Sequence, residues 1–243
     1  MKAKGTRLAT ERRPQRRSLD TRDKILAAAL VEFASHGFSG ASTRAVAKLA
    51  GVQHPLLSYH FKSKEGLWRA LLAATGGHFM ERFNARLAGL RGVDDVTKLL
   101  LVQEEFVRFS AENPHFHMLM SQEARRSSRQ LKWLLQKIIK PYFLEVTALI
   151  RSAQRAGRYV NGEPHHLQYL FIGAATRIFT LAVEVEVVIG RSPFSPKMID
   201  NHVAACLSLF FRKPSDADKA APSRLRRSSR ATPRSKSIQK RVR

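Results

Sequence analysis

The sequence predicts an all-α protein of about nine helices, and three observations carry that prediction. Apolar residues recur at spacings of three and four through almost the whole interior, which is the period of one helix face. The periodic stretches open on Ser, Asp, Glu or Pro and close on Gly or Pro, the residues that start and stop helices. Strand-like alternation stands out at Val183–Val187, where a lone strand would have nothing to pair with, so that run too is expected to be helical.

Taken in order, Thr21 to His36 carries Ile25, Leu26, Ala29, Leu30 and Phe33 on one face, and Gly37 stands where a C-terminal glycine belongs. Ser42 or Thr43 can cap a short second helix containing Val46, Leu49 and Ala50, which Gly51 closes. Pro55 fits the first turn of a third, where its missing N–H costs nothing. Ser63 can cap a long fourth, with Glu65 favourably placed in its first turn, and Gly76-Gly77 within it marks a kink or a close packing point. Asp94 or Asp95 opens a fifth helix bearing Val96, Leu99, Leu100, Phe106 and Val107. Asn113-Pro114 starts a sixth with Met118, Leu119 and Met120. A long pattern from about Ser128 to Ala156 follows, with Pro141 as a kink or break and Gly157 as its stop. Glu163-Pro164 opens the eighth, carrying Leu167, Leu170, Phe171, Ala174, Ile178 and Leu181. Ser195-Pro196 opens the ninth, which carries Met198, Val203, Leu207 and Phe210.

Composition narrows the function. Hydrophobic residues at 44% and charged residues at 26% give a chain of 243 residues ample core. A single cysteine, Cys206, excludes an intramolecular disulfide framework or a thiolate-cluster metal site, and its apolar surroundings suit a buried structural thiol. The net charge of +24 is concentrated at the ends. Residues 1–20 hold seven basic residues against two acids and residues 212–243 hold twelve against two, leaving +9 for the 191 residues between. Both ends are expected to be disordered basic arms that add salt-sensitive affinity for nucleic acid. No signal peptide and no membrane span are expected, because Arg177, Glu184 and Glu186 interrupt the most apolar run; the chain is expected to be cytoplasmic.

The functional signal lies in Thr43–Tyr59, two short helical stretches joined by a tight glycine turn. Val46, Leu49, Val52, Leu57 and Phe61 are expected to pack inward, leaving Gln53, His54, Leu56 and Ser58 facing out. A helix presented this way fits the major groove of B-DNA, where base edges can be read. Amphipathic helix pairs also occur in enzymes, so the pattern leaves both readings open. The residue types settle the matter further. Ile25-Leu-Ala-Ala-Ala-Leu-Val-Glu-Phe-Ala-Ser-His-Gly-Phe, then Ser42-Thr-Arg-Ala-Val-Ala-Lys-Leu-Ala-Gly-Val52, then Leu56-Leu-Ser-Tyr-His-Phe-Lys-Ser-Lys-Glu-Gly-Leu67 resemble the N-terminal domain of the tetracycline-repressor (TetR-like) regulators. That resemblance covers about fifty residues. It implies a DNA-binding domain over 21–67, a ligand-binding and dimerisation domain over 68–211, and a homodimer on a palindromic operator. It also implies a small effector that re-spaces the recognition helices and releases DNA. Lys64 matches the family's phosphate-binding lysine. The family usually has Tyr at the position of Ser58, so Tyr59 or His60 is expected to reach the backbone instead. Thr43 and Arg44, at a helix N-terminus, can also meet a phosphate. Gln53 can read adenine through its amide, and His54 is less selective.

An effector pocket in the second domain would be apolar with a few polar groups. Its expected lining is Phe83, Phe106, Phe109, His117, Met120, Glu123, Trp133, Tyr142, Phe171, Thr176, Arg177 and Phe179, which suits an apolar or aromatic small molecule, although each aromatic could simply be core. The last two helices, 164–189 and 196–211, are expected to form the dimer interface through Ala174, Ala175, Ile178, Ala182, Val203, Leu207 and Phe210. No cofactor or metal is expected: His115 and His117 diverge by about 200° on a helix, His165 and His166 are adjacent, and neither pair is spaced i, i+4. No phosphate loop, dinucleotide fingerprint or nucleophile elbow is present, so the chain is not expected to be an enzyme. The rival readings are a DNA-coating protein driven by the basic ends, and a small-molecule enzyme or carrier built in the second domain.

Overall fold

A computed structural model describes residues 8–124 and 129–213, and every extended element in it is helical. In chain order these are α1 (Leu8–Gly40), α2 (Thr43–Leu49), α3 (His54–Phe61), α4 (Lys64–Ala88), α5 (Asp95–Glu112) and α6 (Pro114–Glu123). Then come α7 (Arg129–Leu134), a π-helical turn (Leu135–Ile139), α8 (Lys140–Arg155), α9 (Pro164–Thr180), α10 (Ala182–Ile189) and α11 (Pro196–Phe210). The α7–π–α8 run is continuous, and α9 and α10 meet at Leu181. The expected nine helical stretches are therefore present, two of them interrupted. Val183–Val187 lies in α10, as helix.

Local chemistry explains the boundaries. Asp94 caps α5, its Oδ1 accepting from the N–H groups of Val96 and Thr97 at 3.0 Å. Ser63 caps α4, accepting from Gly66 N–H at 3.0 Å. Pro stands in the first turn of α3, α6, α8, α9 and α11. The π turn sits immediately before Pro141, whose ring cannot donate to the ladder or tolerate the carbonyl one turn back. Gly37 bends the chain near the end of α1 at φ 67°, ψ 174°. The helix begins at Leu8, within the stretch expected as a disordered arm, while the basic stretch 214–243 lies outside the described residues.

Two cores organise the molecule. The first gathers Ile25, Ala29 and Phe33 of α1, Val46 and Ala47 of α2, Leu57 and Phe61 of α3, and Leu67, Trp68, Leu71 and Leu72 of α4. It also takes Leu119 of α6 and Leu134 of α7, so it extends beyond the expected boundary at residue 67. The second is built on Phe79 and Phe83 of α4 with α5, α8, α9 and α11. Helix α4 thus belongs to both. Each Leu or Phe so buried contributes roughly 1.5–3 kcal/mol. Gly76 marks the crossing: a Cβ there would lie 2.8 Å from Ile138 Cδ1 and 3.0 Å from Leu134 Cδ1. The close-packing reading of Gly76 therefore holds, whereas Gly77 faces open space. Cys206 is buried, and desolvation pushes its thiol up to about 11.

Candidate nucleic-acid interface and effector cleft

The helix-turn-helix is held from behind by α1. Phe33 packs edge-to-face on Trp68 at 4.8 Å between centroids, and Phe38 closes the other side of the indole at 5.6 Å. Glu32, buried on the same helix, accepts the Ser42 N–H at 2.9 Å, which fixes α1 to the entry of α2. Ser42 accepts weakly from Ala45 N–H at 3.5 Å. Gly51 turns the chain at φ 65°, and Val52 N–H reaches the Ala47 carbonyl at 3.0 Å. Thr43 Oγ1 and His54 Nε2 lie 3.1 Å apart, joining the starts of α2 and α3 across the turn.

The outward face of α3 follows. Val46, Leu57 and Phe61 are buried as expected, while Gln53, Leu56, Ser58 and Tyr59 are exposed. Gln53 sits at the N-terminus of α3, makes no side-chain cap bond and is exposed. Tyr59 is 72% exposed, and His60 lies half-buried against its ring at 5.5 Å. Arg44 is exposed on α2. Lys64 Nζ donates to the Ser39 carbonyl at 3.0 Å and lies over the Phe38 ring at 5.2 Å, which holds it at the edge of the same face. Two expectations change. Leu49 is 58% exposed, because α2 buries only Val46 and Ala47 and, among the described residues, no element covers its last turn. His54 is half-buried and engaged with Thr43, which makes it a brace of the turn.

Two residues escaped sequence reading. Glu32 was hidden because a carboxylate on an amphipathic helix reads as solvent-facing. Gly66 was hidden because its role depends on a carbonyl five residues back: a Cβ there would lie 2.1 Å from Phe61 O.

In the second core the expected pocket residues divide. Phe83, Phe106, Phe109, His117, Tyr142 and Phe171 form one aromatic cluster together with Phe79. A narrow cleft opens on it, lined by Phe79, Arg82, Phe83, Arg86, Val102, Glu105, Phe106, Phe109 and Tyr142. Arg82 donates to Glu105 and Glu112, tying α4 to α5, and its guanidinium lies 5.5 Å from the Phe109 centroid. His117 is half-buried against Phe106, Phe109 and Phe116 with its Nε2 out of water, and desolvation lowers its imidazole to about 4. Met120 is half-buried and packs between both cores, and Glu123 is buried at the end of α6. The others lie elsewhere. Trp133 is 48% exposed, Thr176 donates to the Ile172 carbonyl at 2.9 Å, and Arg177 is exposed. Phe179 belongs to a separate cluster with Phe194 and His202.

The expected dimer residues face inward in part. Ala175, Val203 and Phe210 are buried in the protomer's own core, and Ala174, Ile178 and Leu207 pack against it. Ala182 is half-buried at the start of α10. The outward stripe is displaced from the expected one: Tyr169, Leu170, Gly173 and Arg177 on α9, and Asn201, Ala204, Ala205, Ser208 and Leu209 on α11. Among the described residues no cluster of His, Cys, Asp and Glu could hold a metal ion, and no helix is long and apolar enough to cross a membrane.

Comparison with known proteins agrees with this geometry. Residues 25–71 match the family described as bacterial regulatory proteins, tetR family. Over 172 residues the chain is 29% identical to the HTH-type transcriptional regulator RutR of Escherichia coli (strain K12), spanning 69% of this chain and 78% of RutR. It is 24% identical over 139 residues to the fatty acid metabolism regulator protein of Bacillus subtilis (strain 168), spanning 57% and 71%. Its fold resembles that of AibR in complex with isovaleryl coenzyme A and operator DNA, with a TM-score of 0.60 at 15% identity over 79% of this chain and 98% of AibR. The helix-turn-helix, the two-core helical architecture and these matches agree: residues 25–71 carry the tetR-family DNA-binding motif, and the chain is similar to TetR-like transcriptional regulators.

Proposed function

We propose that the chain binds a palindromic operator as a two-fold dimer, and that a small apolar or aromatic effector in the second core releases it, so that it acts as a repressor. The observation that carries this reading is the exposed row of Gln53, Leu56, Ser58 and Tyr59 on α3, flanked by Thr43, Arg44 and Lys64. The first group suits base edges and the second suits phosphates. Tyr59 supplies the aromatic backbone contact, with His60 behind it. Dimerisation through α9 and α11 would set two recognition helices about 34–36 Å apart, adjusted for DNA bending.

Release follows from α4, which enters both cores. An effector that parts the Phe79–Phe83–Tyr142 cluster shifts the lower half of α4, and the Trp68–Phe33 contact passes that shift to the DNA-binding core. The effector needs only to favour a dimer whose helices no longer match successive major grooves. The AibR structure, which holds an acyl coenzyme A and operator DNA, supports a ligand-responsive DNA binder on this fold.

The test is selection of genomic fragments by the full chain at physiological salt. A few recovered sites sharing a palindrome are expected, and Tyr59→Ala should lower affinity for them about tenfold with unchanged melting. Recovery without any shared site would replace this reading with sequence-tolerant DNA coating by the basic ends. Operator affinity unchanged in Tyr59→Ala would remove the proposed role of α3.

A further inference from the structure

Three polar atoms at the second core are out of water with nothing to bond. Arg86 Nε, His117 Nε2 and Gln168 Oε1 have no hydrogen-bond partner among the described residues; Gln122 Oε1 and Glu123 Oε1, at the end of α6, are buried and unpaired as well. Buried polar atoms are almost always paired, so unpaired ones around a single cluster mark a place where something else supplies the partner. One of the first three lines the cleft, and the other two lie behind its walls. Arg86 lines it on α4. Gln168, fully buried on α9, donates through Nε2 to the hydroxyl of Tyr142, which lines the same cleft, at 3.5 Å. His117 lies against Phe106 and Phe109, two more of its walls, at 5.6 and 6.2 Å between centroids.

The chemistry differs at the two ends. At the rim, Arg82 is neutralised by Glu105 and Glu112, whereas Arg86 forms no ion pair among the described residues. A guanidinium only donates, so the rim calls for an acceptor, and a carboxylate is its best match. On the inner side, behind the Tyr142 and Phe106 walls, Gln168 Oε1 only accepts, and His117 is held neutral by burial. That end calls for an uncharged donor. Between them the walls are rings in edge-to-face contact, with Phe79 and Phe83 each 4.8 Å from Tyr142, a geometry that accepts another aromatic ring.

We infer that the effector of this cleft is an aromatic carboxylic acid with a hydrogen-bond donor at the far end of its ring, of which a phenolic acid is the simplest form. The carboxylate pairs with Arg86, the ring lies among Phe79, Phe83, Phe106 and Tyr142, and the hydroxyl donates to Gln168 Oε1. The cleft is narrow as it stands, so the ring enters by parting the side chains that line it. The same parting shifts α4. This inference rests on the reading of the second core as the effector site.

The experiment is calorimetric titration of the full chain with three probes: 4-hydroxyphenylacetate, phenylacetate and 2-(4-hydroxyphenyl)ethanol. The first is expected to bind tightest, and loss of either the hydroxyl or the carboxylate should weaken binding about tenfold. Gln168→Leu should abolish the preference for the hydroxyl, and Arg86→Leu the preference for the carboxylate. Melting curves establish that both variants fold, and Gln168→Met replaces Gln168→Leu if it does not. Equal affinity for all three probes, preferences that survive in the variants, or no binding at millimolar concentration each overturns the inference. DNA selection is run on the same preparation. A protein that finds a palindrome but takes none of the probes loses this inference alone, and one that takes the probes but selects no site loses the operator reading instead.

Discussion

The carbonyl oxygen of Phe61 stands where a side chain on residue 66 would begin, 2.1 Å from the Cβ that an alanine would add. Backbone cannot swing aside as a side-chain tip can, so Gly66→Ala must separate the end of α3 from the start of α4. A loss of about 2–4 kcal/mol is expected from overpacking at this joint, read as a fall in the urea midpoint and accompanied by loss of DNA binding. A midpoint within error of wild type would mean that α4 can re-enter without moving α3. His117 gives the residue-scale counterpart in pH. Its imidazole ordinarily titrates near 6.5 and is held down at about 4 by burial. As pH falls through 6.5 the unfolded chain takes up a proton that the folded chain refuses until about 4. The unfolded state therefore binds more protons across that window, and stability drops as pH falls. The span corresponds to roughly 3 kcal/mol, at about 1.4 kcal/mol per unit. His117→Phe should flatten the loss of stability between pH 7 and pH 5. Parallel pH profiles for the two proteins would assign the acid sensitivity to other groups.

At the scale of elements, α4 is the member that joins the two cores, and adjacent glycines within it test how. A Cβ at Gly76 would run into Ile138 and Leu134, whereas one at Gly77 would meet no other side chain or element within 4 Å among the described residues. Gly76→Leu should push α4 off the π turn and cost about 1–3 kcal/mol, while Gly77→Ala should be neutral or stabilise by up to about 1 kcal/mol through helix propensity alone. Thermal melts of the two variants decide it, and equal effects would show that the crossing is not tightly packed. The sequence carried this architecture well, because helix caps and prolines act locally. Asp94, Ser63 and Pro141 each stand beside the boundary or distortion that they produce. It carried the outward face of α3 for the same reason, since Leu57 and Phe61 on a short helix leave only one face to bury. It failed where a helix is apolar on two faces. Along α9 and α11 the period shows apolar rows without saying which faces the protomer and which faces out, so Ala175, Val203 and Phe210, expected at the interface, lie in the protomer's own core. It failed again at Trp133, where an aromatic at helical spacing proved to lie at the surface.

On the proposed two-fold operator the whole molecule has to present two recognition helices at once, and that requirement puts the decisive test on the outward stripe of α9 and α11. Tyr169 and Leu170 on one helix and Leu209 on the other are more than half exposed, with Gly173, Ala204, Ala205 and Ser208 offering small side chains that let a partner helix approach closely. A row of this kind on two helices is self-complementary under a two-fold axis. The combined substitution Leu170→Asp, Leu209→Asp would place two carboxylates on each side of that axis, four in all, without touching either core. Each protomer should therefore keep its helical content and its first-core packing. Sedimentation should find a monomer in place of a dimer. Operator affinity should fall on the order of a hundredfold or more, because the second half-site contact is no longer intramolecular with the first. A variant that remains dimeric would place the interface elsewhere, with the exposed valines of α10 next to be tested. A monomer that keeps full affinity would show that one recognition helix and the basic ends suffice, and the two-fold operator would have to be abandoned.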